Sequence, residues 1–169
     1  MKAKLIIEGK EIEVEISKEE YEKIQPIKEK KTGYERAPKD DEFYYVSSRG
    51  HVEFAPDDYR DIDDDYYKSA NYYSSNVVAE NNARADKLMR QLRRFAVEHR
   101  ANELNWYNIN NRKYYITYDF EDNKISANYK TFLKGLGVTY FDSMETAQAA
   151  IDEFRDELIW YFTEYKDSL

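Results

Sequence analysis

Twice along this chain the apolar residues change their spacing from every second position to every third or fourth. Each change falls across the same short signature. Tyr72-Tyr73-Ser74-Ser75 is followed, after three intervening residues, by Ala79, and Tyr140-Phe141-Asp142-Ser143, after three, by Ala147. Ahead of each signature lie two alternating segments: Phe43–Ser47 with His51–Ala55 around Ser48-Arg49-Gly50, and Lys113–Tyr118 with Lys124–Tyr129 around Glu121-Asp122-Asn123. Alternation is the mark of a half-buried strand, and a Ser or Asp just before an apolar period of 3.6 marks a helix start. The order predicts an α+β fold, with antiparallel sheets from two tandem ββ(β)α units and two long helices.

The third strands of the units are expected at Ser69–Tyr73 and Val138–Phe141. The first long helix is expected over 77–100, its apolar stripe made by Val78, Ala85, Leu88, Leu92, Phe95 and Ala96. The second carries Met144, Ala147, Ile151, Phe154, Leu158, Tyr161 and Tyr165 at helical spacing. Asn102–Asn111 is a polar connector with Trp106 packed. Upstream, residues 3–16 alternate around Glu8-Gly9-Lys10 and predict a β-hairpin. Ser17-Lys18-Glu19-Glu20 is a capping box for a helix bearing Tyr21 and Ile24 and ending near Pro26. The expected organisation is an N-terminal hairpin–helix module at 1–31, a linker at 32–41, a first unit at 42–103 and a second at 104–169.

Composition excludes several function classes. The chain has no cysteine, so disulfides and thiolate metal sites are ruled out. No run approaches the roughly 18 apolar residues of a membrane span, and MKAKLIIEGKEIEVEI has too many glutamates for a signal peptide. A soluble, intracellular protein, hence cytoplasmic, is expected. Seventeen tyrosines in 169 residues supply large rings with polar tips, suited to interfaces.

Charge is segregated. Between 40 and 67 stand ten acids against Arg49 and Arg60, a balance of −8 that equals the balance of the whole chain. The run Asp57-Asp58-Tyr59-Arg60-Asp61-Ile62-Asp63-Asp64-Asp65-Tyr66-Tyr67 is the centre of this segment and is expected to be a loop or a ragged sheet edge. Exposed carboxylates among tyrosines would attract a protein that normally holds nucleic acid with lysine and arginine. The competing reading is that acids on an edge strand simply prevent aggregation. The candidate partner-binding residues are Asp57, Asp58, Tyr59, Asp61, Asp63, Asp64, Asp65, Tyr66 and Tyr67.

Catalytic motifs are weak. Asp61-x-Asp63-x-Asp65 opens like a calcium loop, but Tyr66 stands where that loop needs glycine and Tyr72 where it needs glutamate. A magnesium site for phosphodiester cleavage made by Asp61, Asp63, Asp64 or Asp65 is the enzymatic alternative. His51 and His99 belong to no triad or zinc motif, and His99 is read as packed near the apolar stripe. Gly135-Leu136-Gly137 is a turn, not a phosphate loop. The long helix has a second candidate surface: Arg84, Lys87, Arg90, Arg93 and Arg94 could follow a nucleic-acid backbone, or be a solvated face, or pair with the 57–65 acids.

The segments FYYVSSRGHVEF, ANYYSSNVVAENNARADKLMRQLRRFA, RKYYITYDFEDNKISANY and VTYFDSMETAQAAIDEF resemble small accessory proteins of bacteriophages and mobile elements of Gram-positive bacteria. The resemblance covers most of 33–165, and KLIIEGKEIEVEISKEEYEKI is similar to a leader found on some members. Similar small acidic phage proteins include inhibitors of type II CRISPR nucleases. The resemblance implies a non-enzymatic inhibitor, without cofactor or metal, that binds a host nucleic-acid-handling defence complex or another basic nucleic-acid-binding protein. Binding of a guide RNA by the helix 84–100 is the alternative.

Overall fold

In the computed structural model, which describes residues 2–7, 10–15, 17, 19 and 31–168, the alternating N-terminal residues form a hairpin of β1 (Lys2–Ile7) and β2 (Lys10–Glu15). Its antiparallel register sets Ala3 opposite Val14, Leu5 opposite Ile12, Lys2 opposite Glu15 and Lys4 opposite Glu13. The expected turn at Gly9, and the helix carrying Tyr21 and Ile24, lie outside the described residues. Residues 1–31 form one unit and 32–169 another.

The second unit is mixed α+β. β3 (Glu42–Val46) pairs antiparallel with β4 (Val52–Pro56), and β5 (Lys113–Asp119) with β6 (Lys124–Lys130). Four helices accompany them: α1 (Asp61–Lys68), α2 (Asn76–Glu98), α3 (Met144–Glu153) and α4 (Arg155–Thr163). α2 is the spine. Every residue of its predicted stripe is buried, along with Ala79 and Ala83. Its N-terminal half packs Val78 and Ala79 with Tyr73 against Tyr44, Val46 and Val52 of the first hairpin. Its C-terminal half packs Leu88, Leu92, Phe95 and Ala96 with Phe141, Ala147, Ala150, Ile151 and Leu158, over Tyr114, Ile116, Ile125 and Ala127 of the second hairpin.

The two halves match at the signatures. Neither predicted third strand forms as such; each shrinks to one bridge. Tyr44 and Tyr73 exchange backbone hydrogen bonds of 2.8 and 2.9 Å, and Tyr114 and Phe141 bonds of 2.9 and 2.8 Å. Two residues beyond each bridge a serine caps a helix: Ser75 accepts from the amide of Val78, and Ser143 from that of Thr146. Ala79 and Ala147, one turn further on, are both fully buried. The likeness ends there. Residues 57–72 contain α1, whereas 131–140 contain no helix. The second long helix is also interrupted at Phe154 (φ −107°, ψ 21°). Beyond that break Leu158 and Trp160, two residues apart and so on opposite helix faces, are both buried.

The segment 32–41 is not a free linker. Ala37 is buried and its amide donates to the Tyr72 hydroxyl at 2.8 Å, while the Gly33 carbonyl accepts from Ser74. Gly33 has φ +93°, and a Cβ there would sit 2.6 Å from Val78 Cγ2. Only glycine meets both conditions. The unperiodic stretch thus belongs to the body it was expected to join.

Candidate functional site

From Asp61 onward the acidic run folds as a helix, not as a loop or ragged edge; only 57–60 form the expected loop. Asp63 starts it: its carboxylate accepts from the amides of Arg60, at 3.0 Å, and Asp58, at 3.1 Å, filling the donors that a helix start leaves open. Asp61, Asp63 and Asp64 lie in the first turn and Lys68 in the last, each favourable to the helix dipole. Alternate residues of a helix point apart by about 200°, so Asp63 turns inward while Asp61 and Asp65 face solvent. That geometry separates the three carboxylates that a calcium or magnesium site would need. Among the described residues no group of three or more His, Asp or Glu side chains is placed to hold a metal ion.

Arg36 organises the rest. Its Nε and Nη2 donate to the two carboxylate oxygens of Asp57 at 2.8 and 3.0 Å, and its Nη1 donates to Asp64. Its guanidinium lies 4.6 Å from the Tyr59 ring centre and 5.7 Å from that of Tyr67. Asp57 is fully buried and also accepts from the Tyr72 hydroxyl at 2.8 Å and the Tyr59 amide at 2.9 Å. The Arg36 guanidinium, helped by those two donors, holds the Asp57 carboxyl down at about 2 against the burial that would raise it. Burial, and the carboxylate beside it, push the Tyr72 hydroxyl up. Phe43 stacks on Tyr72 with ring centres 4.3 Å apart, closing the cage from the core side.

Of the nine candidate partner-binding residues, four are therefore committed elsewhere. Asp57 and Asp63 are buried, Asp64 is shared by Arg36 and Lys68, and Tyr66 is half-buried against Tyr45 and Phe43. Asp58 is partly neutralised by Arg60 at 3.3 Å. What faces solvent is Asp61, Asp65, Tyr59 and Tyr67, joined by Ile62, which is 52% exposed. Asp40 and Asp41 stand beside this face, since the backbone of Asp57 bonds to both of them.

The basic helix residues divide in the same way. Arg84 pairs in two-pronged fashion with Glu157 at 2.8 and 3.1 Å, and its guanidinium lies 3.9 Å from the Trp160 ring centre. It is structural. Arg94 meets Glu98 only at 3.9 Å, and Lys87, Arg90 and Arg93 are exposed and make no ion pair among the described residues. None of these cations pairs with the 57–65 acids; that task falls to Arg36, Arg60 and Lys68. His99 caps the end of α2 with its ring stacked 3.9 Å from Phe95.

One cluster had no counterpart in the sequence-based candidates. Lys113, at the position matching Phe43, is fully buried, and its ammonium donates to the carbonyls of Asn108 at 3.1 Å and Thr131 at 2.6 Å. It lies 5.2 Å from the Trp106 ring centre, and no carboxylate pairs with it among the described residues. The legible signal was negative: 104–118 and 129–141 contain no acid at all.

No protein family, curated protein or solved structure matches this chain. No helix among the described residues is long and apolar enough to cross a membrane.

Proposed function

We propose that this chain is a non-enzymatic binding protein that blocks a cationic, nucleic-acid-handling host protein, with the solvent face of α1 as its contact. The observation that carries this reading is Ile62, more than half exposed between Asp61 and Asp65, which make no ion pair among the described residues. An apolar anchor among carboxylates suits a groove that is basic at its rim and apolar within. The Arg36 cage fixes α1 before binding, so little ordering is left to be lost on association. Tyr59 and Tyr67 add half-exposed rings where they pack on Arg36, on another side of α1 from Ile62. Asp57 and Asp63 serve as scaffold in this scheme and do not touch the partner.

The resemblance to accessory proteins of mobile elements points to a type II CRISPR nuclease as the first partner to test. The rate of target-DNA cleavage by purified guide-loaded nucleases is measured with and without this protein. Slowed cleavage, relieved at least tenfold by Asp61→Lys with Asp65→Lys, is the expected result. Inhibition indifferent to that charge reversal, or none across a panel of such nucleases, rejects the reading.

A further inference from the structure

α3 and the core cover one face of the β5–β6 hairpin, through Tyr114, Ile116, Ile125 and Ala127. The register puts Tyr115 opposite Asn128, Thr117 opposite Ser126 and Lys113 opposite Lys130, all on the other face. That face has hydroxyl, amide and aromatic groups and no acid until Asp119 at its far end. At its near end the 104–111 loop brings in Trp106, edge-on to Tyr140 at 4.8 Å. Lys134 Nζ lies 5.7 Å from the Trp106 ring centre and Lys130 Nζ 5.4 Å from that of Tyr115, whereas the Arg112 guanidinium sits over Tyr129, the partner of Tyr114 on the covered face. Arg93 of α2 lines a shallow concavity with Lys134, Leu136 and Val138, which extends the cationic surface beyond the sheet. None of Arg93, Lys130 and Lys134 makes an ion pair among the described residues.

We propose that this face binds a single strand of nucleic acid, with phosphates on Arg93, Lys130 and Lys134 and a base stacked at Tyr115 and Trp106. Cations interleaved with aromatic rings on an open sheet are the chemistry by which single strands are held without sequence readout. Like charges at Lys113 and Lys130, directly opposite each other, oppose hairpin formation. A bound phosphate relieves that repulsion. A duplex fits less well, because its bases are stacked inside and unavailable to the rings. The site differs in place and in sign from the α1 face, so the two readings stand or fall separately. It also moves nucleic-acid binding from the length of α2, where Arg84 is occupied by Glu157, to the hairpin beside the C-terminal half of that helix.

The test uses the full chain and fluorescently labelled 12-mers of uridine RNA and thymidine DNA, read by anisotropy. A duplex of equal length, inorganic polyphosphate and vesicles with one-third anionic lipid serve as competitors. Binding is expected to weaken about 20-fold between 50 and 200 mM salt, as for three phosphate contacts. Lys130→Glu and Lys134→Glu should each weaken it at least tenfold. Tyr115→Leu should weaken oligonucleotide binding about fivefold and leave polyphosphate binding unchanged. A difference between the RNA and DNA arms assigns the sugar. Urea melts of each variant establish that the fold is intact. The proposal is overturned if neither oligonucleotide binds at 50 mM salt, or if the lysine reversals have no effect. It is also overturned if duplex or polyphosphate competes as well as the single strands, or if the vesicles bind in preference.

Discussion

Two buried charges, one in each half of this molecule, are treated in opposite ways. In the first half, Asp57 is enclosed by Arg36, Tyr72 and the Tyr59 amide, and Asp58 and Asp64 near it have cations of their own while Asp61 and Asp65 have none among the described residues. Beside the Tyr114–Phe141 bridge, Lys113 is enclosed by two carbonyls and an indole, and no carboxylate answers it among the described residues. The more acidic half thus supplies a countercharge for its buried carboxylate, while the other half leaves its buried ammonium without one among the described residues. Linear charge density, which makes 57–65 conspicuous, reports composition; availability depends on what the fold brings alongside.

The largest effect expected from this contrast follows removal of the Arg36 charge. Arg36→Met leaves the Asp57 carboxylate buried without a cation and should cost about 3 to 5 kcal/mol in urea unfolding. A loss below about 1 kcal/mol would mean that Tyr72 and the Tyr59 amide suffice, and would dissolve the contrast. Acid sharpens it further. The Asp57 carboxyl is lowered in the fold from the ordinary 3.8 to about 2, so its contribution is complete above about pH 4 and is lost as pH falls toward 2. Stability followed by circular dichroism over that range should drop steeply in the wild type, and Asp57→Asn, less stable throughout, should lack that part of the drop.

Smaller effects bound the comparison from the other side. Gly33→Ala drives a methyl group into Val78 and should cost about 2 kcal/mol, measured by the same urea midpoint. Lys113→Met should cost no more than about 1 kcal/mol, because an apolar side chain of similar length replaces a buried charge and only two carbonyl contacts go. A cost like that of Arg36→Met would show that the two sites are equivalent after all. Asp61→Asn with Asp65→Asn should leave stability within about 0.5 kcal/mol, since neither carboxylate has a partner to lose among the described residues.

The elements that local pattern determines were readable from the chain. Alternation marked both hairpins of the larger unit, and the 3.6-residue stripe from Val78 to Ala96 named the buried face of α2. Ser75 and Ser143 marked the helix starts. α1 was not readable, because aspartate and tyrosine are indifferent helix formers and its start depends on Asp63 reaching back to two amides. The fate of the acids was hidden for a related reason. Their principal cation, Arg36, lies outside the 40–67 window, in a segment with neither periodicity nor strand signals. Lys113 looked like any solvent-facing strand residue, since the loop that covers it has no pattern to announce that it folds back. The break at Phe154 left no proline or glycine in the sequence; it is visible only in the burial of Trp160 on the side opposite Leu158.

Each half ties its hairpin to its helix by a single reciprocal pair of main-chain bonds, set two residues before a capping serine. The span between hairpin and tie differs in length and content between the halves: one holds a helix, the other the exposed turn at Gly135-Leu136-Gly137. The molecule thereby carries its own record of where it tolerates insertion. A reporter peptide spliced at Leu136, whose side chain is fully exposed, would leave both ties intact.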